Sequence, residues 1–356
     1  MTPEDALALA KQVSDIYAQA TADLLSLISR RLSRGLAAPG WAEERLAEIL
    51  ELRRRANVIV QRMQTEGTAA VLRALEDAYR GGRLDVLSSL DSPGMTGVNR
   101  RAVGILAADA QRALNSTAPR VLRWTEDTYR SVIADVTSST ITGTSTRAEA
   151  AARAMDRFAL RGVTGFVDAA GRNWTLDTYT EMATRTGTGQ AFLEGTLDKY
   201  RANGDDLVIV SNSPEECPLC RPYEGNVLSI SGSLVSPVEL PAGIVFMGAL
   251  SEARSAGLFH PNCTHRADRY VPGLTKPNPD TANPRGYEDR QRQRELERRV
   301  RESKRRVLAL EPLGNTDALR RQKALLRDRS TALRDFNTEH GRKQAVSNRR
   351  VSLTSR

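Results

Sequence analysis

The sequence predicts an α+β protein: a mainly helical N-terminal region, a small zinc-stabilised α+β domain, and a helical, basic C-terminal tail. Three observations carry that reading. Apolar residues recur every three or four positions through most of the first 160 residues, as amphipathic helices require. A cluster of cysteines and histidines between Cys217 and His265 is flanked by short β-branched runs. A proline-rich stretch then introduces a densely charged segment that continues to the end.

Composition sets the bounds. At 356 residues the chain has room for two domains, or for one domain with long extensions. Aromatics at 5% and charged residues at 27% suit a helical, surface-rich architecture better than a thick β core. The formal charge of +9 raises the prospect of an anionic partner. No run of about 18 apolar residues occurs, so no membrane span is expected. The opening MTPEDALALAKQVSDIYAQA is acidic and lacks a basic leader, so it does not read as a secretory signal. Reduced cysteines and assembly in a cytoplasm are expected.

The helical region comes first, over residues 1–162. Pro3 fits the first position of a helix, with Glu4 and Asp5 in its first turn, next to the positive end of the helix dipole. Leu9, Val13, Ile16, Tyr17, Leu24, Leu25 and Ile28 give that helix one apolar face. Residues 35–40 break it. A second helix is expected from Trp41 toward Arg80, stopped by Gly81 and Gly82. DSPGMTGVN, residues 91–99, reads as a turn-rich linker. Helices are expected over 100–114 and 119–136, a polar loop over 137–146, and a short helix over 147–160 closed by Gly162.

The second region spans 163–273. GVTGFVDAAGRNW reads as a small hairpin with Gly171 at its turn, near a domain boundary. Residues 175–203 form one helix, or two separated at Gly187 and Gly189, with Gly204 beyond. Residues 205–211 make a short strand that leads directly into the cysteines. Further strands are expected over 226–230 and 266–271, with a short helix between them in 237–257.

All three cysteines and two of the three histidines fall in one window: Cys217, Cys220, His260, Cys263 and His265. The order is C-x-x-C, a gap of about forty residues, then H-x-x-C-x-H, which is metal-ligand spacing. Soft thiolate and imidazole donors in two tight turns favour a single zinc ion. Cys217, Cys220, His260 and Cys263 are the foremost set, and His265 is a spare or substitute. A closed set of four leaves no position for water, so the ion reads as structural. Pro218 and Pro261 stiffen the two turns. The competing readings are weaker. A Cys217–Cys220 disulfide leaves Cys263 and both histidines unexplained, a thioredoxin-like pair needs a βαβ unit, and buried thiols can cluster by accident.

Residues 274–284, with Pro277, Pro279 and Pro284, read as an extended linker. The tail over 285–356 holds roughly 21 basic against roughly 10 acidic residues, so the basic surplus of the chain lies there. Leu296, Val300, Val307, Leu308 and Leu310 give it a thin apolar stripe. It is either a helix docked on a partner protein or an arm that meets nucleic acid.

The pieces RNWTLDTYTEMATRTGTGQAF, DDLVIVS, CPLCRPYEGNVLSISG and GLFHPNCTHRADRYVPG resemble the minor head proteins of tailed bacteriophages, in particular the phage minor capsid and Mu F-like head morphogenesis families. The resemblance covers about a hundred residues, from Trp174 to Gly273. It implies a virion component present in few copies, assembled in the host bacterial cytoplasm. It also implies a place at the portal vertex or in the head interior, with a role in head assembly or in genome packaging and delivery. Portal and other head proteins are the implied partners, and no enzyme and no small-molecule substrate are implied; packaged double-stranded DNA is a partner expected from the charge of the tail. Many Mu F-like relatives close with H-P-N-C-x-C where this chain has His265. Whether Cys263 or His265 completes the metal shell is therefore open.

Two other function classes compete. A zinc-dependent His-Asn-His-like nuclease or toxin would use His260, Asn262 and His265 with an acid such as Glu215, Glu216 or Asp268, and needs an open metal position. A DNA-binding packaging factor would rely on the tail alone.

Overall fold

A computed structural model describes residues 3–87, 99–163, 166–167, 173–213, 215, 217–233, 240–241, 243–260, 263, 265–276, 283–314 and 316–342. Ten helices and six short strands are present among them: α1 (Pro3–Ser33), α2 (Trp41–Ala47), α3 (Ile49–Leu87), α4 (Arg100–Asn115), α5 (Ala118–Ile141), α6 (Arg147–Arg161), β1 (Phe166–Val167), β2 (Asn173–Trp174), α7 (Leu176–Ala202), β3 (Leu207–Val210), β4 (Val227–Ser229), β5 (Phe246–Ala249), α8 (Leu250–Ser255), β6 (Ala267–Arg269), α9 (Pro284–Leu310) and α10 (Thr316–Glu339). The mainly helical α+β architecture expected from the sequence is therefore present. No helix among the described residues is long and apolar enough to cross a membrane.

The chain divides into two compact units. One gathers Met1–Val13, Ala69–Gln111 and Glu181–Gln291, and the other Ser14–Thr68, Arg112–Thr180 and Arg292–Arg356.

Among its described residues, the second of these units has no strand besides the β1–β2 hairpin and is otherwise helices and turns. Its core joins Leu25, Ile28 and Leu32 of α1 to Tyr129, Val132 and Val136 of α5 and to Ala309 and Leu310 at the end of α9. Five alanines of α6, at positions 150, 151, 152, 154 and 159, are buried. Thr146 and Glu149 start α6 with a reciprocal capping box, and Gly162 ends it at φ 67°. The Trp41 indole donates to the Leu32 carbonyl at 3.0 Å, which satisfies the end of α1. The tail helix is fastened here by polar links. The Ser29 hydroxyl donates to the Ala309 carbonyl at 2.7 Å, Arg306 grips Asp156 with two bonds of 2.8 and 2.6 Å, and Arg305 meets Asp177 at 3.0 Å. Burial pushes the Tyr17 and Tyr129 phenols up to about 12.

Asp177 is a buried carboxylate. Burial alone would raise it, but the Arg305 guanidinium and the Thr175 hydroxyl outweigh burial and hold its carboxyl below the ordinary range. The unfolded chain binds that proton more readily, near pH 3.9. The stabilisation is then complete above that value and is lost as pH falls through the lower folded value. Asp177→Asn is expected to reduce the acid-limb slope of stability, measured by chemical denaturation between pH 2 and 6. Arg305→Met, which strands the carboxylate, is expected to cost about 3–5 kcal/mol at neutral pH.

The first unit holds a four-stranded mixed sheet in the order β5-β4-β3-β6, with β3 antiparallel to both β4 and β6, and β4 parallel to β5. Central β3 is apolar on both faces. Val208 and Val210 pack with Leu193, Leu197 and Leu228 on one side, while Ile209 packs with Val227, Ile244 and Tyr270 on the other. A strand covered on both faces reads as a continuous apolar run, which is why LVIV was legible.

Three local expectations need correction. Gly81 and Gly82 do not stop α3, which runs on to Leu87. A Cβ at Gly82 would lie 2.0 Å from the Phe192 carbonyl oxygen, and one at Gly195 would lie 2.1 Å from that of Tyr79. The two glycines let the backbones of α3 and α7 touch, and the Thr196 hydroxyl seals the crossing on the Gly82 carbonyl at 3.3 Å. The polar loop expected over 137–146 is shorter, because α5 continues to Ile141. The Thr137 and Thr140 hydroxyls bond back to the carbonyls of Ile133 and Val136 at 2.8 Å, so they do not compete with the helix. The helix expected from Trp41 is divided at Glu48 into α2 and α3.

Two open points of the second region resolve in part. α7 is one helix through Gly187 and Gly189. The hairpin pairs Phe166 with Trp174 and Val167 with Asn173, and its turn at Gly171 lies outside the described residues, as does most of the 91–99 linker.

Candidate metal centre

The sheet brings two distant turns together. β3 ends at Val210 and β6 begins opposite it, with Val210 paired to Ala267. The Ser211 N–H donates to the Arg266 carbonyl at 2.9 Å, and the Arg266 N–H donates to the Ser211 hydroxyl at 2.8 Å. The chain leaving β3 therefore starts beside the chain entering β6. The first turn is closed by the Cys220 and Arg221 N–H groups, both on the Cys217 carbonyl at 3.1 Å. The second follows α8. Gly257 at φ 114° and Phe259 at φ 56° reverse the chain, and the Cys263 N–H closes on the His260 carbonyl at 2.9 Å. Phe259 is the only non-glycine residue with positive φ among the described residues, and it stands directly before a candidate ligand.

All five candidates meet. Cys217 Sγ is 2.7 Å from His260 Nε2, Cys220 Sγ is 3.5 Å from Cys263 Sγ, and Cys263 Sγ is 3.2 Å from His265 Nδ1. Two triads have all donor atoms within 4.8 Å of one another: Cys217, Cys220, His260 and Cys220, Cys263, His265. Cys220 belongs to both. The three cysteines are free thiols. A tetrahedral zinc with Zn–S of about 2.3 Å and Zn–N of about 2.0 Å has ligand–ligand edges of roughly 3.3–3.8 Å. Two of the observed separations approach those edges, and the Cys217–His260 pair would have to part by less than about 1 Å. The donor set is soft and mostly buried. It fits zinc.

Without a cation three of the four shifts favour the protonated form, so a bound metal ion would have to displace those protons. Burial pushes the Cys217 thiol up, and the hydrogen bond with Cys263 followed by burial does the same to Cys220. Cys263 is lowered, chiefly by that same bond. Burial pulls His265 down, but its bonds to Cys220 and Glu224 outweigh it and raise it.

Three neighbours were not legible in the sequence. Glu224, four residues after Cys220, places Oε1 against His265 Nε2 and also accepts from the Ser213 N–H at 3.3 Å. Its spacing from the C-x-x-C turn was the available signal. Arg290 of α9 is buried, with Nε 3.8 Å from Glu215 and its guanidinium 5.7 Å from the Tyr287 ring centre. Its Nε and Nη1 make no hydrogen bond. Phe259, with His260, Cys263 and His265, lines a cavity of about 60 Å³ whose far wall is Arg185, Thr188, Gly189 and Phe192 of α7. Of the acids considered for a nuclease, Glu215 faces Arg290 and Asp268 lies on β6, while Glu216, Pro261 and Asn262 lie outside the described residues.

Comparisons with known proteins agree on the kind of protein. A structural protein of Lactococcus phage LL-H is 26% identical over 219 residues, which is 60% of this chain and 58% of that protein. The match thus spans less than two thirds of the relative. No solved structure matches. The family model for phage minor capsid protein 2 matches residues 1–337, helices, metal-donor turns and tail helices alike, so the chain belongs to the phage minor capsid protein 2 family.

Proposed function

We propose that this protein is a minor structural component of a tailed-phage head, with a zinc ion pinning its small sheet domain. It sits at the portal vertex or on the capsid interior and acts in head assembly or in packaging and delivery of the genome. The observation that carries the reading is the family match over residues 1–337, which contains the whole Cys217–His265 cluster. Its partners are the portal and other head proteins. The ion is structural: its donors hold β3 and β6 to the turns around them. The expected places are the virion for the finished protein and the host bacterial cytoplasm for its assembly.

The tail bears on DNA contact. Arg292 and Arg299 pair with Glu295, Arg320 with Asp317, Lys323 with Glu311, and Arg329 with Glu302. That pairing, and the burial of Leu296, Val300, Val307 and Leu308, favour α9 and α10 as packing helices. The reading of packaged double-stranded DNA as a partner then draws on Arg298, Arg321 and Arg327, which are exposed on these helices, and on Lys343, Arg349, Arg350 and Arg356, which lie outside the described residues.

The second reading, a metal-dependent nuclease, is favoured by one observation: the cavity beside His260, Cys263 and His265 gives a substrate atom a route to the donors. Two measurements separate the readings. Quantitative proteomics of purified virions is expected to find the chain at few copies per head. Zinc-loaded protein is expected to leave plasmid DNA intact with Mg²⁺ or Mn²⁺. Cleavage that vanishes in His265→Ala would replace the structural reading with the catalytic one.

A further inference from the structure

We infer that His265 is a metal ligand through Nδ1, and that Glu224 is the positioning residue that holds it there. The inference rests on the zinc reading above and deepens it.

The two ring nitrogens of His265 have different surroundings. Nε2 meets the Glu224 carboxylate, while Nδ1 faces the sulfur of Cys263 at 3.2 Å and belongs to the triad with Cys220. A carboxylate accepts and never donates when ionised, so Nε2 carries a proton and Nδ1 is the nitrogen that can offer a lone pair to a cation. Metal-bound histidines almost always donate the other ring N–H to a carboxylate, a carbonyl or water, which fixes the tautomer and raises the basicity of the ligand. Both side chains are removed from solvent, with 2% of the His265 and 10% of the Glu224 side chain exposed. A buried pair with no other purpose is costly to maintain.

Glu224 is itself held. It caps the short 3-10 turn Arg221–Tyr223 and bridges to Val210 at the end of β3. Gly225, at φ 69°, donates to the Val210 carbonyl at 2.9 Å, and the Ser213 N–H donates to Glu224 Oε1. The first turn thus supplies two thiolates and, four residues on, the carboxylate that aims a ligand of the second turn. The local fold thus provides the carboxylate that a histidine ligand needs and a thiolate does not.

The test is zinc affinity by chelator competition, with Co²⁺-loaded protein read by its visible spectrum, on the full chain. Wild type, Glu224→Gln, His265→Ala and the double variant are compared. Glu224→Gln is expected to weaken zinc binding about 10–100-fold. The double variant is expected to bind no more weakly than His265→Ala, because Glu224 acts only through His265. The Co²⁺ spectrum is expected to change in His265→Ala. Wild-type affinity in Glu224→Gln overturns the inference, and so does a double variant whose losses add. A melting-temperature drop in Glu224→Gln that is equal with and without zinc would assign the pair a packing role instead. A wild-type chain that binds no zinc would sink the metal reading itself, an outcome distinct from all of these.

Discussion

Cys220→Ser is expected to release the metal and to unfold the four-stranded sheet while the helices of the other unit stay folded. Cys220 is the one residue common to both donor triads, so its loss breaks each of them, whereas Cys217→Ser and His260→Ala spare the triad with Cys263 and His265. The strands are only 3 or 4 residues long, and the sheet core is small. Structural zinc contributes an apparent 10–16 kcal/mol in small zinc-dependent peptides, about as much as the whole net stability of an ordinary domain. Cys220 is also fully buried, so a serine there leaves a hydroxyl without solvent. Hydrogen exchange resolves the outcome by segment. Protection should vanish over residues 207–210, 227–229 and 267–269 and persist over α5 and α6. Unchanged protection over β3 would show that the sheet stands without the ion.

The second large effect belongs to the helix crossing. Gly82→Ala is expected to destabilise the protein by about 2–3 kcal/mol, although alanine is the better helix former by about 1 kcal/mol. The added methyl would sit 2.0 Å from a backbone oxygen of α7, and no rotamer relieves a backbone clash. Gly195→Ala should behave alike from the other side, since its Cβ would meet the Tyr79 carbonyl at 2.1 Å. Gly104→Ala on α4 is the control. Nothing lies within 4 Å of a Cβ there, so the substitution should stabilise by roughly 0.5–1 kcal/mol. Urea denaturation of the three variants separates the effects, and equal shifts for Gly82 and Gly104 would refute the close crossing.

These contrasts show what the sequence could and could not convey. Helix periodicity exposed α1, α4 and α6 to within a few residues, because one face of each must be apolar whatever it packs against. β3 and β4 were legible as short apolar runs bounded by turns, whereas β6, with Asp268 and Arg269, was marked by the Pro272-Gly273 stop that follows it. β5 was not. Its Phe246 and Met247 are only partly covered, so its pattern lacks the buried run that marked β3. Gly82 looked like a stop because a helical glycine has local meaning only as a breaker, and its tertiary meaning depends on Phe192, 110 residues away.

The five metal-donor candidates were legible from spacing alone, since scarce soft ligands in two short turns have few other uses. Glu224 and Arg290 were not, because their partners, His265 and Glu215, come near only after β3 and β6 pair and α9 packs. The tail charge was readable as a surplus. Its pairing was not, since Arg305 and Arg306 find Asp177 and Asp156 more than a hundred residues earlier.

The central claim is a minor head protein whose sheet domain is pinned by one metal ion. Its most direct test is the zinc-to-protein ratio of the chain recovered from purified virions under metal-free buffers. The account predicts about one zinc per chain, lost together with the sheet on treatment with a strong chelator. Less than about a tenth of an equivalent in freshly prepared, fully folded protein would contradict it.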